Sequence, residues 1–180
     1  VDYTDRTTCI IFGDGGGAVL FEPSTNEFGW EDEYFRSNGS ERMALRILSG
    51  GSLHPTTQET FDQGWHNIHQ EGKVVFKYAV SEMANVAEKI MKRNDLEDGK
   101  IDYLIPHQAN KRIIDATANC LDLSEDKVLM NIDRYGNTTA ATLPLLLYDY
   151  ESKFKKGDKL VFAAFGGGFT WGAALLTWAY

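Results

Sequence analysis

Ile101-Asp102-Tyr103-Leu104-Ile105-Pro106-His107-Gln108-Ala109-Asn110 is the stretch that decides the fold. Its first five residues read as a short buried strand, and Pro106-His107-Gln108 as the tight turn that ends it. Ile113, Ile114, Thr117 and Leu121 then share one face from Ala109 to Leu121, which is a helical period. The unit is strand, turn, helix, and it recurs downstream. Ser124 with Glu125 and Asp126 starts a brief helix, and Val128 to Ile132 reads as a second strand. Asp133-Arg134-Tyr135-Gly136-Asn137-Thr138-Thr139 is the second turn. The helix after it runs from Ala140 to about Lys153, with Pro144 tolerable only near its first turn.

Upstream, Phe76, Val80, Met83, Val86, Ala87, Ile90 and Met91 recur at helical spacing up to Arg93, an amphipathic helix whose methionines belong to the core. Thr7 to Phe12 and Ala18 to Phe21 read as two strands of a hairpin turned at Gly13-Asp14-Gly15-Gly16-Gly17. From Glu22 to Gly72 the periodicity fades, so this stretch is expected to be long loops with one short helix around Met43 to Leu48. A loop region of that length inside a compact domain points to function. At the other end, Leu160 to Tyr180 carries no charge and is long enough to raise the question of a membrane span. Gly166-Gly167-Gly168 and Gly172 interrupt it, and Val161, Phe162, Phe165, Phe169, Trp171 and Trp178 favour strands, so two buried strands joined by a glycine turn are expected instead. Alternating strands and helices make the class α/β, with a mixed sheet because hairpins are expected at both ends.

The chain has 180 residues, 43% hydrophobic and 24% charged, which suits one globular domain with a sizeable core and excludes a disordered or fibrous chain. Its formal net charge of −8 argues against a broad nucleic-acid or anionic-membrane surface. Cys9 and Cys120 are the only cysteines, too few for a disulfide scaffold and without CxxC spacing, so a reducing, cytoplasmic compartment is expected. The chain opens Val1-Asp2-Tyr3 without an initiator Met or an apolar signal core, and whatever preceded Val1 is expected to have been removed.

Parallel strands gather their carboxyl ends on one sheet edge, which is where His107 and Asn137 would meet. An imidazole and a carboxamide facing one spot offer two neutral hydrogen-bond donors to a carbonyl oxygen that gains negative charge. The plainer alternative is that His107 caps the helix behind it and Asn137 serves a turn beside Gly136. Phe165-Gly166-Gly167-Gly168-Phe169 supplies either backbone N–H donors for an oxyanion or a tight turn. Gly13-Asp14-Gly15-Gly16-Gly17-Ala18 mimics a dinucleotide motif, but Val19-Leu20-Phe21 continues as strand and leaves no helix N-terminus for a pyrophosphate. His54, His66 and His69 lack carboxylate or thiolate neighbours at ligand spacing, so no metal is expected. Cys9, His107 and Asn137 occur in the order of a cysteine hydrolase, yet Cys9 is expected inside a strand, away from any helix dipole that would lower its pKa.

Pro106-His107-Gln108-Ala109-Asn110, Tyr135-Gly136-Asn137-Thr138-Thr139-Ala140-Ala141 and Phe165-Gly166-Gly167-Gly168-Phe169-Thr170-Trp171-Gly172 together resemble the C-terminal half of β-ketoacyl-acyl-carrier-protein synthase III. Asp5-Arg6 ahead of Thr7 to Ala18, and Gly72 to Phe76-Lys77, resemble the same family in the same order, and the likeness is weakest between Glu22 and Glu71. The resemblance implies a thiolase-like fold in which residues 1–180 form the C-terminal half, with the N-terminal half and its nucleophilic Cys absent. It also implies an acyltransferase that condenses a short acyl-CoA with malonyl-acyl-carrier-protein to initiate fatty-acid synthesis, without a cofactor. His107 and Asn137 would hydrogen-bond the malonyl thioester oxygen, and Gly167 would offer its backbone N–H to the oxyanion of the acyl-Cys. Gly72, Phe76, Ala109 and Asn110 would line the pantetheine channel. Lys77 and Arg112 would meet the acidic carrier protein, although both also suit the solvated faces of two amphipathic helices. The implied partners are the carrier protein, CoA thioesters, the missing N-terminal half and a second subunit in a homodimer. A non-catalytic carrier-protein or CoA binding module and a Cys9-dependent hydrolase stand as the alternatives.

Overall fold

The computed structural model describes residues 1–24 and 27–180. In chain order the elements are β1 (Gly29–Ser37), β2 (Leu45–Ile47), α1 (Gln58–Asp62), β3 (Ile68–Gln70), α2 (Gly72–Arg93), β4 (Tyr103–Pro106), α3 (Lys111–Cys120), α4 (Ile132–Tyr135), α5 (Thr142–Tyr150), β5 (Lys159–Gly166) and β6 (Thr170–Thr177). The principal sheet has the order β1-β6-β5-β4, and β2 pairs with β3 in a small separate sheet. Within the principal sheet β4 and β5 run parallel, with Leu104 opposite Val161 and Ile105 opposite Phe162. β5 and β6 form the glycine-linked hairpin, and β1 is antiparallel to β6 along the outer edge.

Alternation along β4 and β5 sends side chains to two cores. Leu104, Val161, Ala163 and Phe165 join Met83, Val86, Ala87 and Ile90 of α2 on one face. Ile105 and Leu160 join Leu146 of α5, Leu129, Phe154 and Trp178 on the other. A sheet covered on both faces needs near-continuous apolar strands, which explains the uncharged run from Leu160 to Tyr180. Among the described residues no helix is long and apolar enough to cross a membrane.

The fold is mixed α/β with helices flanking a mixed sheet, but several local expectations fail. Residues 7–12 are not a strand. Asp5 accepts from the Thr7 N–H at 2.9 Å and from the Thr8 hydroxyl at 2.8 Å, drawing the backbone into successive turns. Ala18 to Phe21 is exposed and, among the described residues, pairs with no strand, so the expected hairpin with residues 7–12 does not form and the mixed character of the sheet comes from the β4–β5 pair. The stretch from Glu22 to Gly72 is not mainly loop, since it contains β1, nine residues of the principal sheet. The sequence Gly29-Trp30-Glu31-Asp32-Glu33-Tyr34-Phe35-Arg36-Ser37 hides that strand because an edge position tolerates charge on both faces. That loop reading also took in Thr25 and Asn26, which lie outside the described residues. The short helix expected at Met43 to Leu48 is the strand β2, paired with β3 through Leu45–Gln70 and Ile47–Ile68. The strand expected at Val128 to Ile132 shrinks to one parallel bridge between Val128 and Leu104, after which Ile132 opens α4.

Leu104 is fully buried between β5 and α2, whereas Tyr148 on α5 is 79% exposed. Leu104→Ala is expected to cost about 2–5 kcal/mol and Tyr148→Ala within about 0.5 kcal/mol, read from urea denaturation midpoints.

Candidate active site

β4 ends at Pro106, and the next residue extends the parallel ladder by one rung, with the His107 N–H donating to the Ala163 carbonyl at 2.8 Å. This fixes where the imidazole leaves the sheet edge. The cap of α3 is Asn110, whose carboxamide oxygen accepts from the Arg112 N–H at 2.9 Å, so His107 is free of the capping role its position allowed. Its Nδ1 lies 2.7 Å from the hydroxyl of buried Thr142. Burial pushes the His107 pKa down to about 4, because an imidazolium loses hydration there with no counter-charge beside it.

Asn137 is held through its backbone by the turn-rich N-terminal segment. Its N–H donates to the Ile11 carbonyl at 2.9 Å, and its carbonyl accepts from the Gly13 N–H at 2.9 Å. The close approach depends on Gly136, which has φ +67 and whose absent Cβ would stand 2.9 Å from the Ile11 oxygen. The Asn137 side-chain oxygen accepts from the Thr139 N–H at 2.9 Å, which leaves its NH2 group as the donor available to a ligand.

Gln108 ties the two turns together. It is fully buried, its NH2 donates to the Pro106 carbonyl at 2.9 Å, and its oxygen accepts from the N–H groups of Asn131 and Ile132 at 3.0 and 3.1 Å. Behind the second turn, Asp149 of α5 accepts from Asn131 at 2.8 Å and from Arg134 at 3.1 Å, which clamps α4 onto α5.

His107, Asn137 and Gly167 line one open cleft of about 1770 Å³. Gly72, Phe76, Ala109, Asn110 and Arg112 line it too, with the Arg112 guanidinium 5.0 Å over the Phe76 ring. Lys77 is exposed on α2 outside that lining. Cys9, half-buried in a turn and not in a strand, is also outside it. Sequence reasoning missed Arg36, Arg46 and Lys73, which add positive charge to the cleft wall, and Trp171, whose buried indole N–H has no partner among the described residues. Arg36 and Arg46 sit on strands read as loop and helix, so nothing in the sequence aimed them at the site. Among the described residues no three His, Cys, Asp or Glu side chains gather as a metal site.

The sheet edge thus carries an imidazole, a carboxamide and a glycine turn over one cleft, and comparison with known proteins gives the family of the fold. The family described as 3-oxoacyl-[acyl-carrier-protein] synthase III C terminal matches residues 91–178, and that described as 3-oxoacyl-[acyl-carrier-protein] synthase III matches residues 1–39. β-Ketoacyl-[acyl-carrier-protein] synthase III 2 of Bacteroides thetaiotaomicron is 51% identical over 100% of the chain and 54% of its own length. The synthase III of Chlorobaculum tepidum is 52% identical over 99% of the chain and 55% of its own. Among solved structures, the 3-oxoacyl-(acyl carrier protein) synthase III of Pseudomonas aeruginosa superposes with a TM-score of 0.89 at 31% identity, over 100% of this chain and 55% of that one. That of Aquifex aeolicus gives 0.85 at 35% identity, over 98% and 53%. The chain belongs to the 3-oxoacyl-acyl-carrier-protein synthase III family, and it spans about half the length of the curated relatives it matches.

Gly136→Ala is expected to force the Ile11 backbone away from Asn137 and lower stability, seen as a reduced melting temperature and loss of amide-exchange protection at Asn137. With its folded pKa below that of the unfolded chain, His107 favours unfolding as pH falls from about 6.5 towards about 4. His107→Gln is expected to flatten this part of the stability–pH curve measured by denaturation.

Proposed function

We propose that this chain is the C-terminal half of a condensing acyltransferase that joins a short acyl group from CoA to malonyl-acyl-carrier-protein, forming 3-oxoacyl-acyl-carrier-protein. The observation that carries the reading is the convergence of His107, Asn137 and Gly167 on one cleft. In this reading the other half supplies a cysteine that holds the acyl group as a thioester. Malonyl thioester then loses carbon dioxide, and the electron pair of the broken C–C bond becomes an enolate. The enolate carbon attacks the acyl carbonyl, a tetrahedral oxyanion forms, and its collapse expels the cysteine thiolate and leaves the new C–C bond.

The two negatively charged oxygens that arise in turn are what the cleft serves. The Asn137 NH2 group and the His107 ring meet the enolate oxygen, and the Gly167 N–H meets the tetrahedral oxyanion, so binding is strongest where charge develops. Asn137 is buried, and the lower dielectric around it strengthens the hydrogen bond its NH2 group makes. Gly72, Phe76, Ala109 and Asn110 give the pantetheine arm a largely uncharged wall, while Lys77 and Arg112 face the acidic carrier protein. The chemistry requires no cofactor. The other half covers Ile10, Val19, Leu20 and Phe21, which are 53–86% exposed here. The whole protein works as a homodimer in the cytoplasm.

In the full-length protein, Asn137→Ala and His107→Ala are each expected to lower carbon dioxide release from malonyl-acyl-carrier-protein by about 10²–10³-fold, with acylation by acyl-CoA less affected. Unchanged release in both variants would overturn the reading. So would condensation by residues 1–180 alone that disappears with Cys9→Ser, which would restore Cys9 as a nucleophile.

A further inference from the structure

We infer that Lys73, together with Arg112, holds the 4′-phosphate of the pantetheine arm and makes the cleft select arms that end in a phosphate. Arg36, Arg46, Lys73 and Arg112 are the formally charged side chains on the cleft lining, and among the described residues no Asp or Glu joins them. The whole chain has a formal net charge of −8, so this wall of one sign is a local feature. A concave wall of one sign focuses its field on a ligand of the other. Two of the four cations are already engaged: the Arg36 guanidinium lies 4.2 Å over the Tyr34 ring, and Arg46 donates through Nη1 to the Met43 carbonyl. Lys73 and Arg112 take part in none of the ion pairs among the described residues. They meet at one aromatic ring. Lys73 and Phe76 are three residues apart on α2 and share a helix face, and the Arg112 guanidinium stands 5.0 Å over the Phe76 ring.

The inference rests on the proposed function, in which Gly72, Phe76, Ala109 and Asn110 line the arm. The order of the lining residues then repeats the order of the ligand. After His107 the chain brings uncharged Ala109 and Asn110 to the cleft and then Arg112, while Lys111 is taken by Asp115 at 2.8 Å. On α2, Gly72 is followed by Lys73 in the same way. Along the arm a thioester is followed by uncharged amides and then by a phosphate. That phosphate is present whether the arm belongs to CoA or to a carrier protein, so one subsite serves both. The malonyl carboxylate does not suit the pair, since it leaves as carbon dioxide and cations holding it would stabilise the ground state. A phosphate keeps its charge throughout the reaction, so gripping it anchors the arm equally before and after the chemical step.

The test compares 4′-phosphopantetheine with pantetheine, which differ by that phosphate alone, in equilibrium binding to the full-length protein measured by calorimetry. The wild-type protein is expected to bind the phosphorylated arm about tenfold more tightly, as charge-assisted hydrogen bonds to one phosphate allow. Lys73→Gln should cut the ratio to about threefold or less, and Lys73→Arg, which keeps the charge, should preserve it. Lys77→Gln should preserve it as well, because Lys77 stands outside the cleft lining. Equal binding of the two arms by the wild-type protein overturns the inference. So does an unchanged ratio in Lys73→Gln, or an equal fall in Lys77→Gln, which would mark a general field and not a site. Weaker binding of malonyl-acyl-carrier-protein by Lys73→Gln with the two-ligand ratio intact also overturns it, and assigns Lys73 to a carboxylate of the carrier. Binding is independent of turnover: failure of the carbon dioxide assay with the expected ratios would remove the condensing-enzyme reading while the phosphate subsite stands.

Discussion

The buried carboxamide of Gln108 is the constraint on which the site depends. It joins the turn after β4 to the backbone that leads into α4, and does so with its donor and acceptor groups both used. An unpaired amide here would cost more than the bonds return, because Gln108 is fully buried and the groups it serves are backbone N–H and C=O. The two turns are therefore tied to each other through one buried side chain. His107 precedes the tie directly, and Asn137 follows α4, so the distance between imidazole and carboxamide is set by a covalent neighbour on one side and a four-residue helix on the other.

Around that tie, the protein spends polar groups on holding other polar groups. Asn137 gives its side-chain oxygen to Thr139, and Asp149 gathers Asn131 and Arg134. Towards the cleft Asn137 keeps its NH2 group and His107 one ring nitrogen, beside the Trp171 indole, the glycine turn at the hairpin tip and the charges of Arg36, Arg46 and Lys73. Under the proposed function such groups would stabilise transient charge, since groups fixed beforehand need no reorganisation when the charge appears. The N-terminal segment takes part as well. Ile11 and Gly13 grip Asn137 from both sides, so a stretch that looks peripheral is part of the site's framework.

The two cores differ in their partners but share one logic. Successive residues of β4 and β5 point to opposite faces, and each face has its helix: α2 on one side, α5 on the other. The edge strand β1 needs less apolar content, and Arg93 of α2 pairs with its Asp32 at 2.6 Å. Where cover ends, apolar side chains remain in the open, as at Ile10, Leu20 and Phe21.

The amino-acid sequence by itself determined the elements with strong local periodicity: α2, the β4–α3 unit, α5 and the β5–β6 hairpin. It also singled out His107, Asn137 and the Gly166-Gly167-Gly168 turn, although the strand it placed before Asn137 is a short helix and Gly167 itself was chosen by the family resemblance. Only the tertiary structure decided the rest. β1 became a strand because β6 offered a free edge, and β2 because β3 lay opposite; neither has a pattern of its own. Residues 7–12 have strand-forming side chains yet turn, since Asp5 captures their hydroxyl and amide groups locally. The partner of each site residue was equally hidden: Gln108 meets Asn131, and Thr142 meets His107, across separations of 23 and 35 residues. Such contacts are set by chain crossing, and local pattern carries no record of which residues the crossing brings together.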